Sequence, residues 1–306
     1  MRHSVVFLLC SILSVGCDTG GRIPTPDGST PVDSGPVDSG VIRDSGPPVD
    51  AGGRLDDVLI YAHSEDTLYE FSPFSNTVTE LGVFDVEDGS RPNMLDLAVD
   101  ADGLIVTVGF NEIYVVDPET METLISFTYR EDRDPDVDPL FGLSFIPSDL
   151  SPSGQEILIG ATNSGDLFEV DLRTARLTPR GRYPDNWGSS GDITAVSGLG
   201  VFATLRQRDA DGRPIEGEPD AVAEITIPAS GNATVRIIGT TRTESGETFT
   251  KLFGLGYWGR NLFGFTSEGQ LLRIDRETAI STVVSSTTGA MQFYGAGVTT
   301  KVPFLE

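Results

Sequence analysis

Residues 95–127 read LDLAVDADGLIVTVGFNEIYVVDPETMETLISF, four short apolar runs separated by turn formers. The runs are 95–99, 104–108, 113–117 and 123–127. Between them stand Asp100-Ala101-Asp102-Gly103, Gly109-Phe110-Asn111-Glu112 and Pro118-Glu119-Thr120. β-Branched residues in alternation favour strands, and Asp, Asn, Gly and Pro at the joints favour tight reversals. Four strands so closely spaced predict an antiparallel meander.

The same layout returns along the chain. Its third run, an apolar pair reaching an acidic or turn residue, recurs at 68–71, 113–117, 167–171, 222–225 and 271–275. A fourth run follows each, at 78–84, 123–127, 176–183, 234–239 and 280–285. In the second to fifth units a first run precedes it, at 95–99, 141–146, 193–196 and 252–257. The first unit lacks an opening strand, since 57–62 already reads as its second. The stretch 292–299, QFYGAGVT, is left over after the fifth unit and supplies it. A four-stranded unit repeated radially is the blade of a β-propeller. The sequence therefore predicts an all-β, five-bladed propeller of four-stranded antiparallel blades over 55–306, closed by its C-terminal strand. Pairing both ends in one blade removes exposed sheet edges.

LAVDADGLIVTV with NEIYVVDPET, and GQLLRIDRET, resemble the broad propeller group with NHL-, YVTN- or lyase-like repeats. These patterns specify fold more than activity. The Trp-Asp dipeptide of WD-repeat blades, the double glycine of kelch blades and the sialidase S-x-D-x-G-x-x-W box are absent.

Composition narrows the chemistry. The 306 residues carry a formal charge of -25 and only two lysines, Lys251 and Lys301. Such an acidic chain argues against nucleic acid or an anionic membrane surface as partner. It permits cationic partners or divalent cations, but its plainest meaning is a soluble, self-repelling surface, and a monomer is expected. The two cysteines, Cys10 and Cys17, both lie at the extreme N-terminus, so the body has no disulfide framework, thiolate metal site or cysteine nucleophile. Of the two histidines His3 precedes the apolar run, so a Ser-His-Asp relay could only use His63 and a multi-histidine zinc site cannot be assembled.

The N-terminus reads as an export signal over 1–16. Met1-Arg2-His3 is a short positive start and 5–13 an apolar run too short to span a bilayer. Leu13-Ser14-Val15-Gly16-Cys17 resembles the lipobox of bacterial lipoproteins, although Ser14 stands at −3 where leucine is usual. The resemblance implies lipidation at Cys17 and membrane attachment through that anchor alone; the alternative is an ordinary signal peptide with an incidental cysteine. Asp18 implies inner-membrane retention by the enterobacterial rule, which varies between phyla; the outer membrane or cell surface is the preferred address. From 17 to 54 a rough Pro-Val-Asp-Ser-Gly repeat with no aromatic residue predicts a disordered tether, similar to those behind the lipidated cysteine of many surface lipoproteins.

In a propeller the first strand lines the central channel, so the second-to-third and blade-to-blade loops share one face. Loops on a rigid scaffold are where binding usually lives. That face is predicted to gather His63, Glu65, Asp66, Asn111, Glu112, Asn163, Asp166, Trp187 and Glu268. His63 beside two carboxylates reads as a base or as a solvated turn residue. Trp187, among Gly188, Ser189, Ser190 and Gly191, reads as a stacking platform or a cover for the channel mouth. Asp132, Asp134, Asp136 and Asp138 alternate as calcium ligands do, but the glycine of a calcium loop is missing and prolines stiffen the segment. Asp209-Ala210-Asp211-Gly212 reads as a turn first and a ligand set second. Trp258 is expected at the opposite face, packed under Arg260.

Two functions follow. The first is a lipid-anchored, non-enzymatic binding or assembly platform outside the cytoplasm, for an unidentified protein or small molecule. The second is a propeller hydrolase or lyase of the lactonase type, with Ca²⁺ held by Glu65, Asp66, Asn111, Glu112, Asn163, Asp166 and Glu268 and activating water or polarising a carbonyl.

Overall fold

The structure, a computed structural model, describes residues 54–86, 93–130, 138–184, 186–286 and 292–303. Five four-stranded antiparallel sheets make five blades. Blade one contains β1 (Ile60–His63), β2 (Thr67–Ser72) and β3 (Thr77–Val83). Blade two is β4 (Asp96–Val99), β5 (Ile105–Val108), β6 (Glu112–Val116) and β7 (Thr123–Thr128). Blade three is β8 (Leu140–Ile146), β9 (Ile157–Thr162), β10 (Asp166–Asp171) and β11 (Arg176–Arg182). Blade four is β12 (Trp187–Val196), β13 (Gly200–Gln207), β14 (Ala221–Thr226) and β15 (Thr234–Thr240). Blade five is β16 (Leu252–Trp258), β17 (Asn261–Thr266), β18 (Leu271–Asp275) and β19 (Ser281–Ser285).

The last strand, β20 (Gly295–Gly297), is the innermost of blade one. Ala62 lies opposite Ala296 and His63 opposite Gly295, so the chain's end completes the sheet its beginning opened. Phe293 locks this closure. Its ring meets Phe265 of blade five at 5.1 Å and Tyr69 of blade one at 6.2 Å, both edge-on. Such aromatic pairs add about 0.5–1.5 kcal/mol beyond the area they bury.

Burial grades outward. The inner strands are buried almost throughout, whereas β3, β11 and β15 share one half-exposed pattern with a glycine at the sixth residue. The apolar core lies between neighbouring blades: Leu68 and Phe84 meet Leu97 and Ile105, and Ile146 and Ile159 meet Ile193 and Val201. Each interface thus repeats the same sheet-on-sheet burial, and no single centre is needed.

Local hydrogen bonds hold the Asp-rich turns and Trp258. Asp117, Asp171 and Asp275 end or directly follow the third strands of three blades, and their Oδ1 atoms accept N–H groups two residues on, fixing the turns. Asp209 does the same for Asp211 and Arg213, which makes that segment a turn held by its own side chain. Trp258 ends β16 and donates its indole N–H to the Leu55 carbonyl at 2.7 Å, so it tethers the entry of the chain.

Candidate functional site

Every inner strand carries a triplet of one design at or near its cup end. These are Tyr294-Gly295-Ala296, Leu95-Asp96-Leu97, Phe141-Gly142-Leu143, Gly191-Asp192-Ile193 and Phe253-Gly254-Leu255, for blades one to five. The middle position is glycine in blades one, three and five and aspartate in blades two and four. The two aspartates meet on the axis, both fully buried.

Five backbone N–H groups, one from each inner strand, point at this pair. Asp96 Oδ1 accepts from Leu97 at 2.8 Å and Oδ2 from Leu143 at 2.5 Å. Asp192 Oδ1 accepts from Ile193 at 2.5 Å, and Oδ2 from Leu255 and from Ala296, the latter at 3.3 Å. Burial pushes both carboxyls well above the usual carboxylate range, and for Asp96 the neighbouring Asp192 adds to the rise. Two carboxyls buried together do not both ionise readily, so the pair retains a proton. Glycine at the alternate positions makes the room: a Cβ on Gly295 would fall on the Asp96 carboxylate and 2.5 Å from His63 Nε2. Tyr183 is also buried, and burial first, then Asp192, holds its phenol above the ordinary value.

His63 belongs to this layer, not to the exposed turn expected for it. Strand β1 runs one residue further than the apolar pattern showed, and His63 is fully buried against Gly295. Its Nδ1 lies 2.6 Å from the Ser64 carbonyl, which only accepts, so Nδ1 carries the hydrogen. Nε2 has no hydrogen-bond partner among the described residues. Burial lowers the pKa to about 4, leaving the ring neutral at physiological pH.

One residue above the carboxyls, the first members of the five triplets ring a cavity of about 370 Å³. Leu95, Phe141, Gly191, Phe253 and Tyr294 form the ring, and Phe110 rises at its edge, 43% exposed. Phe253 and Tyr294 stack at 6.3 Å with 19° between their planes. Gly191 is needed because a Cβ there would lie 2.8 Å from the Phe253 Cα. Tyr129 braces the Phe110 turn, donating its hydroxyl to the Phe110 carbonyl at 3.0 Å and accepting from Leu140 N–H at 3.2 Å.

The polar groups of the cup are Glu65, Asn93, Asn163, Ser190 and Arg206. Arg206 is fixed from three sides. Its Nε meets buried Asp220 at 3.2 Å, Nη2 donates to Ser190 Oγ at 3.3 Å, and the guanidinium lies 5.9 Å over the Phe253 ring. Asp220 in turn accepts the Leu252 N–H at 2.6 Å.

The opposite end of the axis is crossed by the chain's own tail. Thr299 Oγ1 donates to the Asp100 carbonyl, the Thr300 carbonyl accepts from Ser197 N–H, and Thr300 Oγ1 donates to Glu156. Those contacts reach blades two, four and three, so the open mouth is the one bearing the cup.

Of the residues expected at this face, Glu65 and Asn163 line the cup. Asn111 instead holds a turn, accepting Arg130 Nη1 on its side chain at 2.9 Å and two backbone N–H groups on its carbonyl. Glu112 is the first residue of β6. Asp66 accepts the Thr67 hydroxyl at 2.9 Å, and Asp166 accepts Ser164 Oγ at 3.0 Å with Arg182 at 3.9 Å. Glu268 is exposed in the β17–β18 turn. Trp187 is the first residue of β12 and half-buried against the cluster of Ile193 and Leu205, so it packs where a loop platform was expected. Asp138 is exposed; Asp132, Asp134 and Asp136 lie outside the described residues, as does Cys17.

Among the described residues these acids do not come together as a calcium centre. Ca²⁺ takes six to eight oxygens, yet no three His, Cys, Asp or Glu among the described residues come together to hold a metal. The axial carboxyls do converge, but their oxygens already accept N–H donors from all five blades, which leaves few lone pairs for a cation.

No protein-family model and no curated protein matches the chain. Solved structures match its shape. One is a protein of unknown function from Bacteroides caccae, 10% identical, covering 79% of this chain and 98% of its own, with a TM-score of 0.42. Another is from the Nidogen/Laminin complex, 9% identical over 79% and 97%, with a TM-score of 0.45. The WD40 repeats of RRP9 are 12% identical over 81% and 82%, with a TM-score of 0.44.

Proposed function

We propose that this propeller is a non-enzymatic binding platform, displayed outside the cytoplasm on a lipid anchor at Cys17, and that the axial cup is where it takes its ligand. The observation that carries the reading is the ring of triplets. It places three aromatic side chains around a recess floored by a sealed, buried layer. Concave sites that combine aromatic walls with a few fixed polar groups are the common form of small-molecule sites.

The chemistry of the cup favours binding over turnover. Its one serine hydroxyl that lines the recess, Ser190, accepts a hydrogen bond from Arg206 and lies beside an Asp220 carboxyl that Arg206 already pairs. His63 lies beneath the recess and keeps its Nδ1 proton on a backbone carbonyl. A ligand-observed NMR screen of a chemically mixed fragment library against the full chain in detergent tests the reading. Hits are expected that bind the wild type and are lost with Phe110→Ala, which removes an exposed ring without opening the core. If no fragment distinguishes the two proteins, the cup is not a ligand site.

A further inference from the structure

We infer that the cup takes a neutral pyranose sugar, as a mono- or disaccharide or the end of a longer glycan. This rests on the cup being the ligand site and goes further by naming the ligand's chemistry. Volume sets the first limit. About 370 Å³ lies at the small end of the roughly 300–1,000 Å³ typical of small-molecule sites, which suits one or two rings.

Charge sets the second limit. The chain carries -25, yet the cup's lining holds one acid, Glu65, and one base, Arg206. Arg206 is already paired with Asp220. In so acidic a protein, a recess with balanced charge is not organised to recruit a cation, and a paired guanidinium is a poor lure for an anion.

Surface chemistry sets the third. Phe110, Phe141 and Tyr294 line the cup beside Phe253, whose ring already stacks on Tyr294 and lies under Arg206, and aromatic faces suit the C–H face of a pyranose. Between them stand Glu65, Asn93, Asn163, Ser190 and Arg206. A purely apolar ligand would strip water from the carboxylate and the two amides and leave them unpaired, at about 1–3 kcal/mol each. Hydroxyls, which both donate and accept, satisfy carboxylate, amide and guanidinium alike. With Nε and Nη2 of Arg206 committed to Asp220 and Ser190, Nη1 is left to donate to a sugar oxygen. A polyhydroxylated ring with one apolar face meets all three limits.

The test is isothermal titration of the full chain in detergent with a panel of neutral methyl glycosides and disaccharides, alongside glucuronic acid and glucosamine as charged counterparts. At least one neutral sugar should bind saturably. Phe110→Ala should weaken it at least tenfold with an unchanged melting temperature. Glu65→Gln, which keeps a hydrogen-bonding side chain and removes the charge, should weaken it less than tenfold. Binding confined to a charged sugar, or abolished by Glu65→Gln, overturns the neutral assignment. If no sugar binds while the fragment screen finds Phe110-dependent ligands, the sugar inference fails and the cup stands as a site. If neither assay finds a ligand, both fail.

Discussion

Asp192 sets its two carboxyl oxygens against N–H groups from three blades, those of Ile193, Leu255 and Ala296. Removing it strands buried donors, at about 1–3 kcal/mol each, so Asp192→Ala should lose several kcal/mol in chemical denaturation. Asp192→Asn keeps one acceptor oxygen and should lose less. The pH dependence separates charge from packing. A carboxyl whose pKa is raised on folding holds its proton longer in the folded state, so stability falls as pH rises from the unfolded value, about 4, through the raised folded one. Wild-type stability should decline over that window and the Asp192→Asn curve should be flatter; equal slopes would contradict the shared proton. His63 works in the other direction. Its folded pKa of about 4 lies below the usual 6.5, so its contribution is intact above pH 6.5 and is lost as pH falls towards 4, by about 3 kcal/mol in all. His63→Gln should lose less stability than the wild type between those values. Neither role was legible in the sequence. A lone histidine before Ser-Glu-Asp reads as a turn, and a single aspartate or glycine between apolar residues reads as ordinary alternation until the ring brings the five positions together.

At the scale of the strand, the sequence carried more. Runs bounded by Asp, Asn, Gly and Pro resolve into β4 to β7 within a residue or two of the expected limits, because alternation and turn chemistry are local. The closing strand was legible by elimination, since β1 pairs with β20 as the missing opener requires. What the pattern could not give was where β12 starts. Its first residues, Trp187 to Gly191, are rich in glycine and serine and read as loop, yet they pair with β13 up to a bulge after Ser189. The cup's aromatics were hidden for the same reason. Phe141-Gly142-Leu143 and Phe253-Gly254-Leu255 repeat, but only the shared register of β8 and β16 turns the repeat into a wall. The element-scale prediction concerns β20. Gly295→Ala drives a methyl into the Asp96 carboxylate, and overpacking of this kind costs about 1–3 kcal/mol. At 2–4 °C per kcal/mol for a domain of this size, the melting temperature should drop by about 2–12 °C. An unchanged melting temperature would mean that β20 does not lie against Asp96.

For the molecule as a whole, ring, plug and cup are one construction. Five blades present five N–H groups to two carboxyls, and the same triplets that build the plug build the recess above it. The net charge of -25 keeps the remaining surface self-repelling, which suits a displayed domain. Display itself is tested at Cys17. Cys17→Ala should move the protein from the membrane pellet to the soluble fraction when cells are fractionated without detergent, and continued sedimentation with membranes would contradict the anchor. The central claim, a ring closed around a shared proton, is tested most directly by following the backbone amide resonances of Leu97, Leu143, Ile193, Leu255 and Ala296 by NMR as pH is raised. All five, one from each blade, should shift together at a pH well above the ordinary carboxylate range. Independent shifts, titration near pH 4, or an Ala296 amide that does not follow the other four would contradict it.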